Sequence, residues 1–140
     1  MTLKLDMSKA YDRVEWNFVP QVMLRMSFGT TFVDLVWRCN SSVSFSVLLN
    51  GVAGAVFQLQ RGLRQGDPIS PYLFLLCAEG LSALIRQAEE RKAIHDLKIG
   101  KHTPTISHLF FADDSVLFTR ATETEVDTIL DILQNYEMAS

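Results

Sequence analysis

The run Phe110-Phe111-Ala112-Asp113-Asp114-Ser115-Val116-Leu117-Phe118 sets two adjacent carboxylates inside an otherwise apolar stretch. Asp is a favoured turn residue, so an ordinary hairpin tip is one reading of the pair. The other reading starts from the flanks. Apolar strands on both sides would make Asp113 and Asp114 the polar tip of a buried hairpin, held on rigid elements and suited to ligate a metal. A third carboxylate, Asp6, closes the apolar approach Leu3-Lys4-Leu5 at what would be the end of a strand. Alone, Asp6 reads as a helix cap or turn residue. If its strand neighbours the one ending at Asp113, the two carboxylates project together. Oxygens from separate strands can hold a pair of Mg²⁺ ions ~3.5–4 Å apart, the arrangement that drives in-line phosphoryl transfer. Mg²⁺ suits such a site because it accepts a few carboxylates and fills its octahedron with water and substrate phosphate.

The segment Arg61-Gly62-Leu63-Arg64-Gln65-Gly66-Asp67-Pro68-Ile69-Ser70-Pro71 is richer than a simple connection requires. As a surface loop it would merely start a helix. As a functional loop it would bring its backbone close to a substrate, with Gly66 permitting the approach. Arg61 or Arg64 would then pair with phosphates, and Gln65 would lean on a base or sugar.

These residues must be positioned by elements the sequence also signals. Leu3–Leu5 reads as a strand. Asn17 is placed to cap a helix running to about Met26, with Pro20 tolerated in its first turn because no intrahelical bond is lost there. Phe28-Gly29 ends that helix, and a second, Thr31 to Cys39, carries Phe32, Leu35 and Val36 at helical spacing. Period two then takes over: Val43, Phe45, Val47 and Leu49 alternate with Ser44, Ser46 and Leu48. Asn50-Gly51 signals a hairpin turn, with Ala55–Leu59 returning. Ser70-Pro71 opens a long helix with Ser70 as cap, and Leu73, Leu76, Cys77, Gly80, Leu81, Leu84, Ile85 and Ala88 form its apolar face. Leu97–Ile99 reads as a short strand, and Ile106–Ala112 and Ser115–Thr119 as two more across Asp113-Asp114. Thr122 and Glu125 form a capping box for a last helix whose Val126, Ile129, Leu130 and Leu133 face the core. The expected class is α+β: an antiparallel sheet with helices packed on one face.

Composition sets bounds on this. A chain of 140 residues is one domain's worth, and 48% apolar content is ample for a core. No run of ~18 apolar residues exists to span a membrane, and no stretch near Met1 resembles a secretion signal, which places the chain in the nucleus or cytoplasm. Cys39 and Cys77 lack metal-type spacing and read as buried thiols. Thirteen Lys plus Arg against sixteen Asp plus Glu gives a net charge of −3, which argues against strong nucleic-acid binding by this chain alone. His95, His102 and His108 have no partner pattern and read as structural or solvated; Trp16 and Trp37 read as core.

In order and spacing, three segments resemble motifs A, B and C of reverse transcriptases of the non-LTR, LINE-type retrotransposon branch, plant enzymes especially. They are Leu5-Asp6-Met7-Ser8-Lys9-Ala10-Tyr11-Asp12-Arg13-Val14-Glu15-Trp16, Arg61 to Pro71, and Phe111-Ala112-Asp113-Asp114. The resemblance covers Leu3 to about Ala139. It implies a polymerase palm in which Asp6, Asp113 and Asp114 ligate two Mg²⁺ ions, with Mn²⁺ as an alternative. Met7 would lend its backbone N–H to the triphosphate, and Tyr11 would lie beneath the sugar and exclude a 2′-hydroxyl. Gln65 and Gly66 would contact nucleotide and template, Arg61 the template or primer, and Phe111 and Ala112 the primer end. Template RNA, DNA primer and dNTPs are the implied partners of the full-length enzyme. The family's fingers, motif D, thumb and endonuclease are expected to be absent from this stretch, which would leave it inactive by itself. A non-catalytic remnant, acting at most as an interaction module, is the competing reading. A palm-like nucleotidyl transferase or cyclase is a third, which the Arg61 to Pro71 string argues against.

Overall fold

The computed structural model describes the chain except residues 8, 99, 101–103, 112 and 113. Its elements are β1 (Thr2–Asp6), α1 (Ala10–Arg13), α2 (Phe18–Arg25), α3 (Thr30–Ser41), β2 (Phe45–Leu49) and β3 (Val52–Phe57). There follow α4 (Ser70–Glu90), β4 (Leu97–Lys98), β5 (Thr105–Ile106), β6 (His108–Phe111), β7 (Asp114–Phe118) and α5 (Glu123–Ala139). They form two compact units, one of Met1–Ala10 with Ala78–Ser140, the other of Tyr11–Cys77.

The first unit is built on an antiparallel sheet of order β1-β7-β6. Strand alternation divides its residues between two faces. Leu3 and Leu5, opposite Leu117 and Ser115, turn toward the helices. There Leu81, Ile85 and Ala88 of α4 meet Ile94, Leu117 of β7 and Ile129 of α5, with Phe110, Ile132, Leu133 and Tyr136 packed against them. The other face carries Lys4, Asp6, Leu109 and Phe111, all exposed. The expected α+β class, with helices on one face of an antiparallel sheet, is borne out.

The strand expected from Ile106 to Ala112 is broken at Ser107. Thr105–Ile106 pairs with β4, whereas His108–Phe111 pairs with β7. Ser107 makes the break: it is buried, its hydroxyl meets His108 Nδ1 at 2.8 Å, and its carbonyl accepts the Phe118 amide at 2.7 Å. Nor does α5 begin with the expected capping box. Thr122 sits at the N-cap but makes no side-chain cap bond, and the Glu125 carboxylate, which would complete the box, is engaged by the Arg120 amide instead. Leu130 is exposed rather than core-facing; Ile132 and Tyr136 pack inward instead.

The second unit holds α2, α3, the β2–β3 hairpin and the start of α4. Asn50 and Gly51 both have positive φ, 50° and 80°, as a two-residue hairpin of the twist-compatible kind requires. The expected alternation made a strand, but its apolar set stays largely in solvent: Val47 is 55% exposed and Leu49 70%. A register shift between Ser46 and Leu48 also breaks the strict period. Asn17 caps α2 by position only, since its side chain makes no cap bond. On α3 the buried residues are Val33 and Val36, with Phe32 and Leu35 exposed, so the face is turned from the one expected. Cys39, on the same helix, is exposed, while Cys77 is buried and its thiol pushed up to about 12 by that burial. At the entry to α4, Ser70 is already helical and not the cap expected, and just before it Asp67 Oδ1 accepts the Ile69 amide at 3.1 Å in a local turn.

Candidate active site

Asp6 ends β1 and Asp114 begins β7, and the antiparallel register makes them direct partners. Opposed residues share a sheet face, with Cα atoms ~4.5–5.5 Å apart. This is the face away from the helices, so both carboxylates meet solvent at the end of the β1–β7 ladder. Lys4, two residues before Asp6 and therefore on the same face, places its Nζ 2.9 Å from Asp114 Oδ1. Phe111 is the partner of Asp114 on its other side and is 82% exposed. Like charges set opposite one another in a sheet repel. A hard cation would relieve that repulsion, and oxygen donors are what Mg²⁺ or Mn²⁺ takes. The Lys4 ammonium is already one cation drawn to the pair. The donor set therefore fits a divalent ion. Among the described residues there is no group of three or more His, Cys, Asp or Glu able to hold a metal. Asp113, the third expected ligand, and Ala112 lie outside the described residues. Met7 directly follows β1, and its carbonyl accepts the Ala10 amide at 3.1 Å.

The remaining expected residues belong to the second unit. There the Arg61 to Leu63 stretch is stitched to the segment around Tyr11. The Leu63 amide donates to the Tyr11 carbonyl at 2.7 Å, and the Gly62 amide to the Val14 carbonyl at 2.8 Å. Arg61 pairs with Glu15 as an isolated antiparallel bridge, so its exposed side chain stands on a fixed backbone. Gly62, at φ +94°, presses on the Asp12 backbone: a Cβ would lie 3.3 Å from the Asp12 carbonyl oxygen. Gly66 has φ +88° with open space where a Cβ would be, and Gln65 beside it is exposed. That is the arrangement a close backbone approach to a substrate needs.

Four residues with a part in this geometry escaped the sequence reading. Lys4 was legible, being two positions from Asp6 on an alternating strand. Trp16 was read as core, and it is buried, but its indole N–H also donates to the Gly62 carbonyl at 2.7 Å. Phe74 stacks on the Tyr11 ring, with centroids 4.8 Å apart and planes 12° from parallel. Glu125, only 4% exposed, accepts from Thr119 Oγ1, the Arg120 amide, and the ring and amide of His95. Burial would raise its carboxyl, but these bonds outweigh burial and hold it at about 2 against an ordinary 4.5. Thr119 directly follows β7, and its amide donates to the Met1 carbonyl, so Glu125 pins the end of the β1–β7 ladder. No sequence signal separated this role from a helix cap. His95 and His108 prove structural; His108, between Ser82 and Ser107, is held below the usual imidazole range chiefly by burial. His102 lies outside the described residues.

Comparison with known proteins places these observations. The family model described as reverse transcriptase (RNA-dependent DNA polymerase) matches residues 1–138. An uncharacterised mitochondrial protein of Arabidopsis thaliana is 47% identical over 68 residues, covering 49% of this chain and 56% of that protein. The retrovirus-related Pol polyprotein of a type-2 retrotransposable element of Drosophila melanogaster is 30% identical over 127 residues, 91% of this chain but 11% of the polyprotein. The chain thus spans about half the length of the first relative and a small part of the second. In fold it is similar to an apo telomerase from Candida tropicalis, at a TM-score of 0.67 and 15% identity, over 97% of this chain and 28% of that one.

Proposed function

The chain belongs to the reverse transcriptase (RNA-dependent DNA polymerase) family, and from that premise we propose that it is the palm of an RNA-directed DNA polymerase of a LINE-type, non-LTR retrotransposon. The reaction is attack of a primer 3′-hydroxyl on the α-phosphate of a dNTP, which forms a phosphodiester and expels pyrophosphate. Asp6, Asp113 and Asp114 are the residues that would hold two divalent ions, Mg²⁺ or Mn²⁺. Bound there, the ions would activate the hydroxyl and neutralise charge on the leaving group. Met7 offers a backbone N–H to the triphosphate, Tyr11 lies beneath the sugar, and Gln65 and Gly66 meet the nucleotide and template. Arg61 pairs with backbone phosphate, while Phe111 and Ala112 flank the primer end. With a net charge of −3, the 140-residue chain binds nucleic acid only weakly by itself.

The single observation that supports this most is the facing pair Asp6 and Asp114 at the open end of the β1–β7 ladder, with the Lys4 ammonium beside it. A fold selected only for stability gains nothing from opposed like charges. The test is Mn²⁺ binding by the 140-residue chain, followed by electron paramagnetic resonance. Asp6→Asn and Asp114→Asn are expected to weaken binding at least about tenfold, since each removes a charged ligand. Lys4→Ala is expected to strengthen it by removing a competing cation. Binding that is indifferent to both Asp changes would defeat the metal-site reading and leave the non-catalytic remnant.

A further inference from the structure

The helix that carries Tyr11, α1, is four residues long. A turn that short has no stability of its own and cannot fix a side chain. The direction of the Tyr11 ring must therefore come from what it touches. Its backbone is held by the Leu63 amide at 2.7 Å. Its ring lies on that of Phe74, nearly parallel at 12° and 4.8 Å between centroids. The support is rigid. Phe74 is 7% exposed, in the long helix α4, and its neighbour Leu73 is still more deeply buried. An aromatic face constrains the plane of a ring laid on it, whereas an aliphatic side chain of similar volume fills the space without setting a plane.

We propose that Phe74 is a positioning residue for sugar recognition, fixing the plane of Tyr11 and through it the discrimination against a 2′-hydroxyl. The inference rests on the reading of Tyr11 given under the proposed function. Phe74 itself need not touch the nucleotide. A steric gate works only while its ring occupies the volume the hydroxyl would need. A ring free to leave for a neighbouring rotamer opens that volume, so loss of support costs selectivity before it costs nucleotide affinity.

The experiment compares the affinities of dATP and ATP for the 140-residue chain with Mn²⁺ present, in the wild type and in Tyr11→Ala, Phe74→Met and Phe74→Tyr. The wild type is expected to prefer dATP by roughly tenfold, a modest margin for a site that rejects one added hydroxyl. Tyr11→Ala should bring the ratio close to one. Phe74→Met, which conserves volume, should lower it by about threefold or more, mainly through tighter ATP binding, with dATP affinity little changed. Phe74→Tyr keeps a ring and should keep the ratio. A purely structural role would move both nucleotides together. The Tyr11 ring proton resonances give a second readout: they should shift on Phe74→Met, which removes the neighbouring ring, and unchanged resonances would refute the stack. If Tyr11→Ala collapses the ratio and Phe74→Met leaves it intact, the gate stands and the role of Phe74 is overturned. If the chain binds neither nucleotide, or Tyr11→Ala changes nothing, the gate reading itself fails and this inference fails with it.

Discussion

Asp6, the last residue of β1, stands directly opposite Asp114, the first residue of β7, on the sheet face turned away from the helices. Two negative charges so placed cost stability unless a cation lies near, and Lys4 provides one at 2.9 Å. The relationship sets function against stability at a single pair of residues.

Asp6→Asn is accordingly expected to leave the melting temperature unchanged or slightly raised, since opposed like charges cost about 0.2–1 kcal/mol. Calorimetry on the chain would check this. In a longer polypeptide that supplies fingers and thumb, Asp113→Asn should lower primer extension by roughly 10³-fold, the scale of losing one strong electrostatic stabiliser. Near-normal extension by that variant would show that Asp113 is not a ligand.

The 140-residue chain alone is expected to show no measurable extension of a primed RNA template, with Mg²⁺ or Mn²⁺. Grip on a primer–template grows with each phosphate contact through counterion release, and the net charge here is −3. The same chain should be poorly soluble, because Val47, Leu48, Leu49, Val52 and Val56 leave an apolar hairpin open to solvent. Triad-dependent extension by a soluble monomer would contradict both expectations.

Acid should unfold the first unit through Glu125. Its folded pKa, about 2, lies below the ordinary 4.5, so the unfolded chain binds more protons between those values. The stabilisation is complete above about pH 4.5 and is lost as pH falls toward 2. Glu125→Gln should lower stability at neutral pH and flatten the decline over that window. Urea denaturation at several pH values would reveal an unaltered slope if the carboxylate were idle.

Gly62→Ala and Gly66→Ala separate two uses of glycine. Both sites have positive φ and carry a strain of about 1–3 kcal/mol for another residue. Only at Gly62 does a Cβ also meet fixed backbone, 3.3 Å from the Asp12 carbonyl oxygen. Gly62→Ala should therefore be the more destabilising in urea, and equal losses would argue against the Gly62–Asp12 packing.

Local chemistry in the sequence determined much of this protein. Asn50-Gly51 can make its turn because those residue types tolerate positive φ. Strand β1 follows from the alternation of Leu3, Lys4, Leu5 and Asp6, and α4 from apolar residues returning every three or four positions. These signals act over a few residues and do not depend on the rest of the chain. Family membership was legible for a related reason, since the motif strings around Asp6, Arg61 and Asp114 are contiguous. What a residue faces across a long stretch of sequence was decided only by tertiary structure. Thr122 and Glu125 spell a capping box, yet Glu125 turns to Thr119, Arg120 and His95 because a buried carboxylate takes whichever donors the packed loop brings nearest. The alternation in β2 marks a strand, yet Val47 and Leu49 stay exposed, because hydrophobic pattern specifies a face without specifying what lies against it. Phe74 reads as one more apolar residue of α4; only the fold lays the Tyr11 ring upon it.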